Sequence, residues 1–283
     1  MLDNGEGWLM HSDNLLTEND PEKINWKMLP EGDHGIRLDK FGSVQEEHNH
    51  VITGPSKKYL IYRTTTGYPC HVYSHDGGKT WTEPVHMTYS PDGRGVKNPR
   101  ACPKLWKCEN GKYLFWFHNH SGKNFHHRNP AWVSGGIMRD GKMYWSEPEI
   151  VLYGHDLSYG TGRMSYPDLI EQDGKYWITE TQKTTARVHS VDPELFEGMW
   201  AQIEGKGEVA KKGLVLDLQG EALQAEAVAM PKMHDLSKNG GFTIDLKIKF
   251  KDNQQASQVV LDSRDSKGKG IAIGVDPGGS LNI

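Results

Sequence analysis

The chain has 283 residues, enough for one large or two modest domains with a buried core. Its formal net charge is −4, and its lysines and arginines are spread too thinly to form the basic stripe that nucleic-acid binding needs. No apolar run reaches the length of a membrane span. The chain is rich in Gly (32), Trp (9) and Tyr (11), a composition that suits many short strands joined by tight turns.

Three similar apolar segments recur along the chain, at residues 58–62, 112–116 and 175–178. The second and third follow Asn110-Gly111 and Asp173-Gly174, dipeptides that favour two-residue hairpins. Each segment also has an apolar run before it, so the units resemble the inner hairpins of propeller blades. An upstream half-blade brings the predicted total to about three and a half blades in residues 1–204, an incomplete ring.

The blade-like repeat ends near Glu204, and a different sequence pattern follows. Residues 205–213 are predicted to be a linker. Residues 242–250 alternate strictly between apolar and polar side chains, which predicts a half-buried strand. Residues 259–264 and 270–273 continue this style, so we expect residues 214–283 to begin a β-sandwich that the chain end truncates.

Residues 74–81 read Ser-His-Asp-Gly-Gly-Lys-Thr-Trp, which resembles the Asp box of sialidases and other BNR-repeat propellers. Residues 45–202 resemble bacterial sialidase-like proteins through the segments 45–49, 62–65 and 165–169. Residues from about 214 resemble a laminin-G or concanavalin-like lectin domain. The resemblance implies an all-β fold, with a partial sialidase-type β-propeller and then a lectin sandwich. We expect the Asp box itself to be structural, with Ser74 and Asp76 bonding turn amides and Trp81 packing between strands.

Several arginines fall at predicted strand ends near the propeller axis, where such folds place their sites. A guanidinium binds a carboxylate through two parallel hydrogen bonds and keeps its charge. Sialidases bind the carboxylate of sialic acid with an arginine cluster, and the resemblance implies a similar one here. The alternative for each residue is a salt bridge between blades. The candidates are Arg63, Arg100, Arg128, Arg163 and Arg187.

Sialidases use a tyrosine nucleophile activated by a glutamate, with an aspartate as acid and base. Tyr166 and Asp168 stand two apart on one predicted strand, so alternation places both on the same face. Glu47 and Glu180 lie at equivalent strand ends. The resemblance implies Asp168 or Glu47 as proton donor, with Tyr166 and Glu180 as a nucleophile pair. Each carboxylate could instead hold a loop or an arginine in place. The Arg-Ile-Pro signature of sialidases is absent from this sequence.

His118, His120 and Trp132 are further candidates for substrate contacts. Histidine or tyrosine beside arginine also suits a polysaccharide lyase, in which arginine neutralises a uronate and the base removes its α-proton. His118 with His120, or His126 with His127, could alternatively bind a metal, although no third ligand stands in fixed spacing. Solvated or core-edge histidines are the simpler interpretation. Trp132 follows a loop and could stack on a sugar.

The sequence therefore predicts hydrolysis of a terminal acidic sugar from a glycan or polysaccharide, without a cofactor. The alternatives are a lyase acting on uronate polymers and a non-catalytic glycan-binding propeller. The expected partner is carbohydrate, with no nucleic acid and no membrane span. We expect secretion or periplasmic export of the full-length protein, although this chain shows no signal peptide. The three cysteines, an odd set without metal-type spacing, are expected to be buried free thiols.

Overall fold

The computed structural model describes residues 6–123, 126–154, 162–181, 185–205, 257–278 and 281–282. The chain divides into two compact units, Met1–Phe242 and Thr243–Ile283. Within the described residues, strands dominate, and helix α1 (Pro193–Glu204) is accompanied by short 3-10 turns at Pro21–Lys23 and Asp39–Phe41. This part of the chain is therefore all-β, as predicted, apart from one helix. It contains no helix of the length and apolarity that a membrane crossing requires.

The first unit contains three larger antiparallel sheets, preceded by a small pair of strands, β1 (Leu9–His11) and β2 (Lys27–Leu29). Sheet I has the order β3 (Glu46–Gly54), β4 (Lys57–Arg63), β5 (Cys70–Ser74) and β6 (Val85–His86). Sheet II runs β7 (Lys104–Lys107), β8 (Tyr113–Phe117), β9 (Ala131–Arg139) and β10 (Lys142–Trp145), and β11 (Glu149–Leu152) also pairs with β9. Sheet III comprises β12 (Ser165–Gln172), β13 (Lys175–Thr181) and β14 (Ala186–Val191).

Each sheet is a meander of consecutive hairpins, which confirms the predicted strand order. The turns before β8 and β13 use Gly111 and Gly174 at φ 79° and 70°, a region that glycine enters without steric cost. The first strands of the three sheets are neighbours, since β3 contacts β7 and β7 contacts β12. The starts of these inner strands therefore come together. The number of blades stays a prediction.

Two apolar cores lie between the sheets. Tyr59 and Ile61 of sheet I share one core with Phe115 of sheet II. A second core joins sheet II to sheet III and helix α1, whose buried members are Phe196, Met199 and Trp200. The indole of Trp200 also donates to the Tyr113 carbonyl at 2.8 Å. The helix thus contributes three large side chains to the packing of sheets II and III.

The alignment of the three repeats is shifted by one residue in sheet I. Tyr113 and Tyr176 pack against the preceding sheet, whereas Tyr59 packs against the following one. Side chains alternate along a strand, so a shift of one residue exchanges the two faces. The equivalence of residues 58–62 with 112–116 is therefore wrong in register, although the strands themselves correspond.

The Asp box forms the turn after β5. Ser74 Oγ accepts from the Gly78 amide at 2.8 Å, and Asp76 Oδ1 accepts from the Thr80 amide at 3.0 Å. The Trp81 indole donates to the Gly78 carbonyl, and its ring packs against the core of sheet I. These contacts show the structural role expected for Ser74, Asp76 and Trp81.

The second unit contains a small antiparallel sheet of β15 (Gln258–Asp262), β16 (Ala272–Val275) and β17 (Leu281–Asn282). Strands were predicted in this region. Residues 206–213 of the predicted linker and the alternating segment 242–250 lie outside the described residues. The lectin-like sandwich stays a prediction.

Candidate active site at the inner strand ends

The inner strands β3 and β12 begin with the same local distortion. In β3, Glu46 pairs with Arg63 and Asn49 with Ile61, so one extra residue is inserted. In β12, the pairs Ser165–Thr181 and Asp168–Thr179 show the same insertion. The inserted stretches contain Glu47 and Tyr166, at φ 57° and 49°. A β-bulge re-aims its side chains, so these two do not follow the strand alternation.

Arg63 holds Glu47 and its neighbour through both ends of its guanidinium. Its Nη1 lies 2.9 Å from Glu47 Oε1, and its Nη2 donates to Glu46. Burial raises the pKa of Glu47, and this effect outweighs the opposing charges of Arg63 and Arg128. The Cys102 side chain lies beside Glu47, and its Sγ is 3.6 Å from the Pro103 carbonyl oxygen. Glu47 is thus a carboxyl group that keeps its proton to higher pH than usual.

Arg128 is the most enclosed of the predicted arginines at this edge, with only 7% of its surface exposed. Its Nη1 donates to Ser165 Oγ at 2.9 Å, and its Nη2 donates to the Arg100 carbonyl at 3.1 Å. The Tyr166 side chain lies close enough to interact electrostatically with this guanidinium. Burial lowers the pKa of Arg128, partly opposed by the nearby Tyr166 and Glu47. Among the described residues, the hydrogen bonds of Arg128 go to Ser165 and the Arg100 carbonyl, and none goes to a carboxylate.

We name the group Glu47, Arg63, Cys102, Arg128 and Tyr166 the Arg128 cluster. It draws side chains from the starts of β3 and β12, the end of β4, and the segments before β7 and β9. Tyr166 is its exposed member, with 47% of its surface accessible, and Glu47 and Arg128 lie deeper. The cluster brings a phenol, a carboxyl group and two guanidinium groups together at the meeting point of the sheets.

Asp168 has a different set of contacts. Its Oδ1 accepts from the Trp106 indole at 3.0 Å and lies 3.9 Å from Lys104 Nζ. Asn49 holds the matching position in β3, and its Oδ1 accepts from the Leu105 amide at 2.7 Å. Both residues therefore tie an inner strand to β7. The expectation that Asp168 shares a face with Tyr166 by simple alternation fails, because the bulge intervenes.

Glu180 is fully buried beneath Arg187. Its Oε1 accepts from Arg187 Nε and lies 3.2 Å from His189 Nε2. Arg187 in turn donates from Nη2 to the Arg163 carbonyl at 3.5 Å. In the described residues, the hydrogen bonds of Glu180 go to β14 and not to Tyr166. The predicted nucleophile pair of Tyr166 and Glu180 therefore lacks a direct contact.

The other predicted arginines enter the site in different ways. Arg163 lies close enough to Arg128 for its charge to oppose that of Arg128. Arg100 contributes its carbonyl oxygen to Arg128, and Arg187 binds Glu180. Arg63 contacts Glu47 directly, and Arg128 lies close enough to Tyr166 and Glu47 to interact with both.

His118 and His120 lie close by, in hydrogen bonds to the protein itself. His118 is buried, bonds to the Pro130 carbonyl through Nδ1, and has its pKa lowered by burial to about 3. His120 Nδ1 accepts from the Gly122 amide, so its Nε2 donates to the His127 carbonyl at 2.9 Å. Both ring nitrogens of His120 are therefore engaged in hydrogen bonds. The described ranges hold no group of three or more residues arranged to bind a metal.

Trp132 lies within β9 and is half-buried against the core between sheets I and II. Cys102 and Ser165 were not among the predicted site residues. Ser165 directly precedes Tyr166, and Cys102 lies just before β7, so both adjoin inner strand starts that the repeat had marked.

Cys70 and Cys108 are buried free thiols, as expected, and Cys102 is a partly buried one.

No protein-family model matches the chain, and no curated protein matches it. Among solved structures, it is similar to a NanB sialidase variant from Streptococcus pneumoniae, at 14% identity and a TM-score of 0.44. That similarity covers 68% of this chain and 27% of the sialidase. The intramolecular trans-sialidase from Ruminococcus gnavus shows 19% identity and a TM-score of 0.43, over 65% of this chain and 37% of that one.

A GH43 β-xylosidase/α-arabinofuranosidase from a compost microbial metagenome is also similar, at 11% identity and a TM-score of 0.38. In that case the similarity covers 53% of each chain. These neighbours are glycoside hydrolases and sialidases, and the chain spans only part of their length. The case for a function rests on the side chains of the Arg128 cluster.

Proposed function

We propose that this chain carries the site of a glycosidase that releases a terminal acidic sugar, in the manner of a sialidase. The observation that carries the proposal is the Arg128 cluster, in which Arg128 and Tyr166 meet Glu47 where inner strands converge. A buried guanidinium supplies a carboxylate partner, and a carboxyl group with a raised pKa supplies a proton.

Each member of the cluster receives a role in this proposal. Arg128, with Arg163 nearby, attracts the carboxylate of the sugar. Glu47 donates its proton to the leaving oxygen as the glycosidic bond breaks. Tyr166 is the nucleophile, because a phenol is not repelled by an anionic substrate as a carboxylate is. The exposed Tyr166 phenol gives its proton to solvent water as its oxygen bonds to the anomeric carbon, and Arg128 stabilises the negative charge on that oxygen. Glu47, which has lost its proton to the leaving group, then takes a proton from the water that breaks the glycosyl–tyrosine bond and releases the sugar. Arg63 and Cys102 position Glu47.

One observation favours a second candidate, a propeller that binds acidic glycans without turnover. Arg63 directs both of its terminal nitrogens to carboxylates of its own sheet, Glu46 and Glu47. Such a pair holds structure and engages both terminal nitrogens of Arg63. If Glu47 serves only this purpose, the site lacks its proton donor and retains only binding.

The two candidates are separated by measuring binding and turnover together. We expect the chain to bind free sialic acid and to release the fluorophore of a methylumbelliferyl sialoside. Tyr166→Phe should remove turnover and keep binding, and Arg128→Met should weaken binding by at least tenfold, the loss of one charge-assisted hydrogen bond. Arg139→Met is the matched control, since Arg139 bonds the Ile203 carbonyl outside the cluster.

Each other outcome has a defined meaning. Binding without release of sugar from any acidic glycoside would support the second candidate. Formation of an unsaturated uronate from a polyuronate, followed by its ultraviolet absorbance, would show the lyase. Equal binding by the parent chain and Arg128→Met would contradict both proposals for this cluster.

A further inference from the structure

A cleft of about 550 Å³ lies on another part of the first unit, between the outer strands of sheets I and II. Its walls include His71 of β5, Val85 of β6 and Met143 of β10, and the loop after β6 adds Pro91 and Asp92. None of these residues belongs to the Arg128 cluster. The volume falls within the range of roughly 300–1,000 Å³ that is typical of small-molecule sites.

Polar groups in the cleft are left free to bind a ligand. His71 bonds the Tyr59 hydroxyl through Nδ1 at 2.9 Å, and its Nε2 has no hydrogen-bond partner among the described residues. Burial lowers the pKa of His71 to about 4, so the ring is neutral at physiological pH. The Thr88 hydroxyl and the Asp92 carboxylate also line the cleft without a side-chain hydrogen bond in the described chain. The cleft thus presents both donors and acceptors.

The formal charges around the cleft cancel. Glu83 pairs with Lys40 at 3.1 Å, and the remaining Asp92 is opposed by Lys142 on the facing sheet. The Lys142 ammonium also lies 5.1 Å from the centre of the Tyr73 ring. The Tyr73 hydroxyl accepts a hydrogen bond from the Met143 amide. This balance contrasts with the guanidinium groups of the Arg128 cluster and selects against a strongly ionic ligand.

Apolar surface completes the cleft. Val85 exposes 48% of its surface, and Pro91 and Met143 stand among the same lining residues. A pyranose combines a face of C–H groups with a rim of hydroxyl groups, and each hydroxyl donates and accepts. Apolar patches next to a neutral imidazole, a threonine hydroxyl and a carboxylate match that combination.

We propose that this cleft binds an uncharged saccharide unit, separately from the Arg128 cluster. It would give the protein a second contact with a polymer or glycan, beyond the acidic sugar of the proposed function. Two linked contacts raise the overall affinity without any change at the first site. Because the cleft shares no lining residue with the Arg128 cluster, it can bind even if the proposed glycosidase activity is absent.

The test uses neutral monosaccharides, namely glucose, galactose, mannose and xylose, with glucuronate as the anionic comparison. Saturation-transfer NMR detects which sugar contacts the protein, and a titration of the His71 ring resonances gives its affinity. We expect saturable binding of at least one neutral sugar and weaker binding of glucuronate. Val85→Trp should abolish this binding by filling the cleft. Asp92→Asn should weaken binding about tenfold, because it removes the charged hydrogen-bond acceptor. Asn tolerates the positive φ of this position, so the substitution should leave the backbone unchanged.

Matched controls exist for both variants. Val188→Trp places the same ring on an exposed position of β14, and Asp173→Asn makes the same change at another positive φ. Neither should alter sugar binding. The proposal is overturned if no neutral sugar binds saturably, if Val85→Trp leaves binding intact, or if glucuronate binds as well as the neutral sugars. Loss of binding in Arg128→Met but not in Val85→Trp would assign the sugar to the Arg128 cluster.

Discussion

Glu47 and Tyr166 hold the same position in two different sheets. Each is the second residue of an inner strand, each lies in a one-residue bulge, and their φ angles are 57° and 49°. Each also lies close enough to Arg128 to interact with its charge. Neither residue type favours this region, which costs roughly 1–2 kcal/mol for an ordinary side chain. Such strain commonly lies where side chains serve a site.

The strain predicts a trade between stability and function at Tyr166. Tyr166→Asn should raise the free energy of unfolding by up to about 1 kcal/mol, because Asn enters this region more readily and the half-exposed ring gives up little packing. Urea unfolding measures the change. Tyr144→Asn, at a partly exposed strand position with ordinary φ, should destabilise instead. A loss of stability in Tyr166→Asn as large as in Tyr144→Asn would contradict a strained Tyr166.

A second prediction concerns the pH dependence introduced by Glu47. Its pKa in the folded protein is raised by burial above the usual 4.5, in spite of Arg63. A raised folded-state pKa contributes stability that is complete below 4.5 and is lost as pH rises through the folded value. The stability of the parent chain relative to Glu47→Gln should therefore fall across this window. Urea unfolding of both proteins at a series of pH values measures this difference.

The control for this experiment is Glu204→Gln, since Glu204 is an exposed residue at the end of helix α1. Its difference from the parent chain should change little over the same pH range. If the parent chain instead became more stable relative to Glu47→Gln as pH rises, the ion pair with Arg63 would outweigh the effect of burial on the pKa of Glu47. Glu47 would then be a poor proton donor.

The sequence was informative about strands and turns because those depend on local chemistry. The Asn110-Gly111 and Asp173-Gly174 hairpins and the Asp box of Ser74 to Trp81 use residues whose turn conformations are set within a few positions. The strand order followed from the repeat. The repeat placed Arg63 and Arg128 at strand ends, and they lie at the end of β4 and shortly before β9.

The pairing of site residues depends on long-range geometry and was harder to predict. A single inserted residue in β12 separates Tyr166, which lies beside Arg128, from Asp168, which accepts a hydrogen bond from Trp106. Glu180 was paired with Tyr166 by analogy, but its cross-strand neighbour Arg187 holds it instead. Bulges and cross-strand ion pairs of this kind leave no periodic signal in one sequence.

One buried histidine and two half-buried ones predict a steep loss of stability in acid. Burial lowers the pKa values of His48, His71 and His118 from 6.5 to about 4, 4 and 3. Because these folded-state values lie below the unfolded one, their stabilising contribution is complete above 6.5 and is lost as pH falls towards the folded values. Each extra proton bound on unfolding lowers stability by about 1.4 kcal/mol per pH unit.

The test compares the pH slope of the unfolding free energy in the parent chain and in His118→Gln. The glutamine amide can still donate to the Pro130 carbonyl but cannot take up a proton, so the slope should fall by about one proton. His75→Gln, at an exposed position of the Asp box, should keep the parent slope. Equal slopes in the parent chain and His118→Gln would show that His118 does not titrate on unfolding.

The Asp box should be a determinant of stability that leaves the Arg128 cluster untouched. Asp76 accepts from the Thr80 amide and hydroxyl and from the Ser74 hydroxyl, so Asp76→Ala leaves three donors without this acceptor and should lower the thermal midpoint. Asp76→Asn keeps one oxygen for the amide and should lower it less. Differential scanning calorimetry measures both midpoints, and a sialic acid titration below the transition should give the parent affinity. A variant that keeps its midpoint but loses sialic acid binding would place the Asp box in the ligand site.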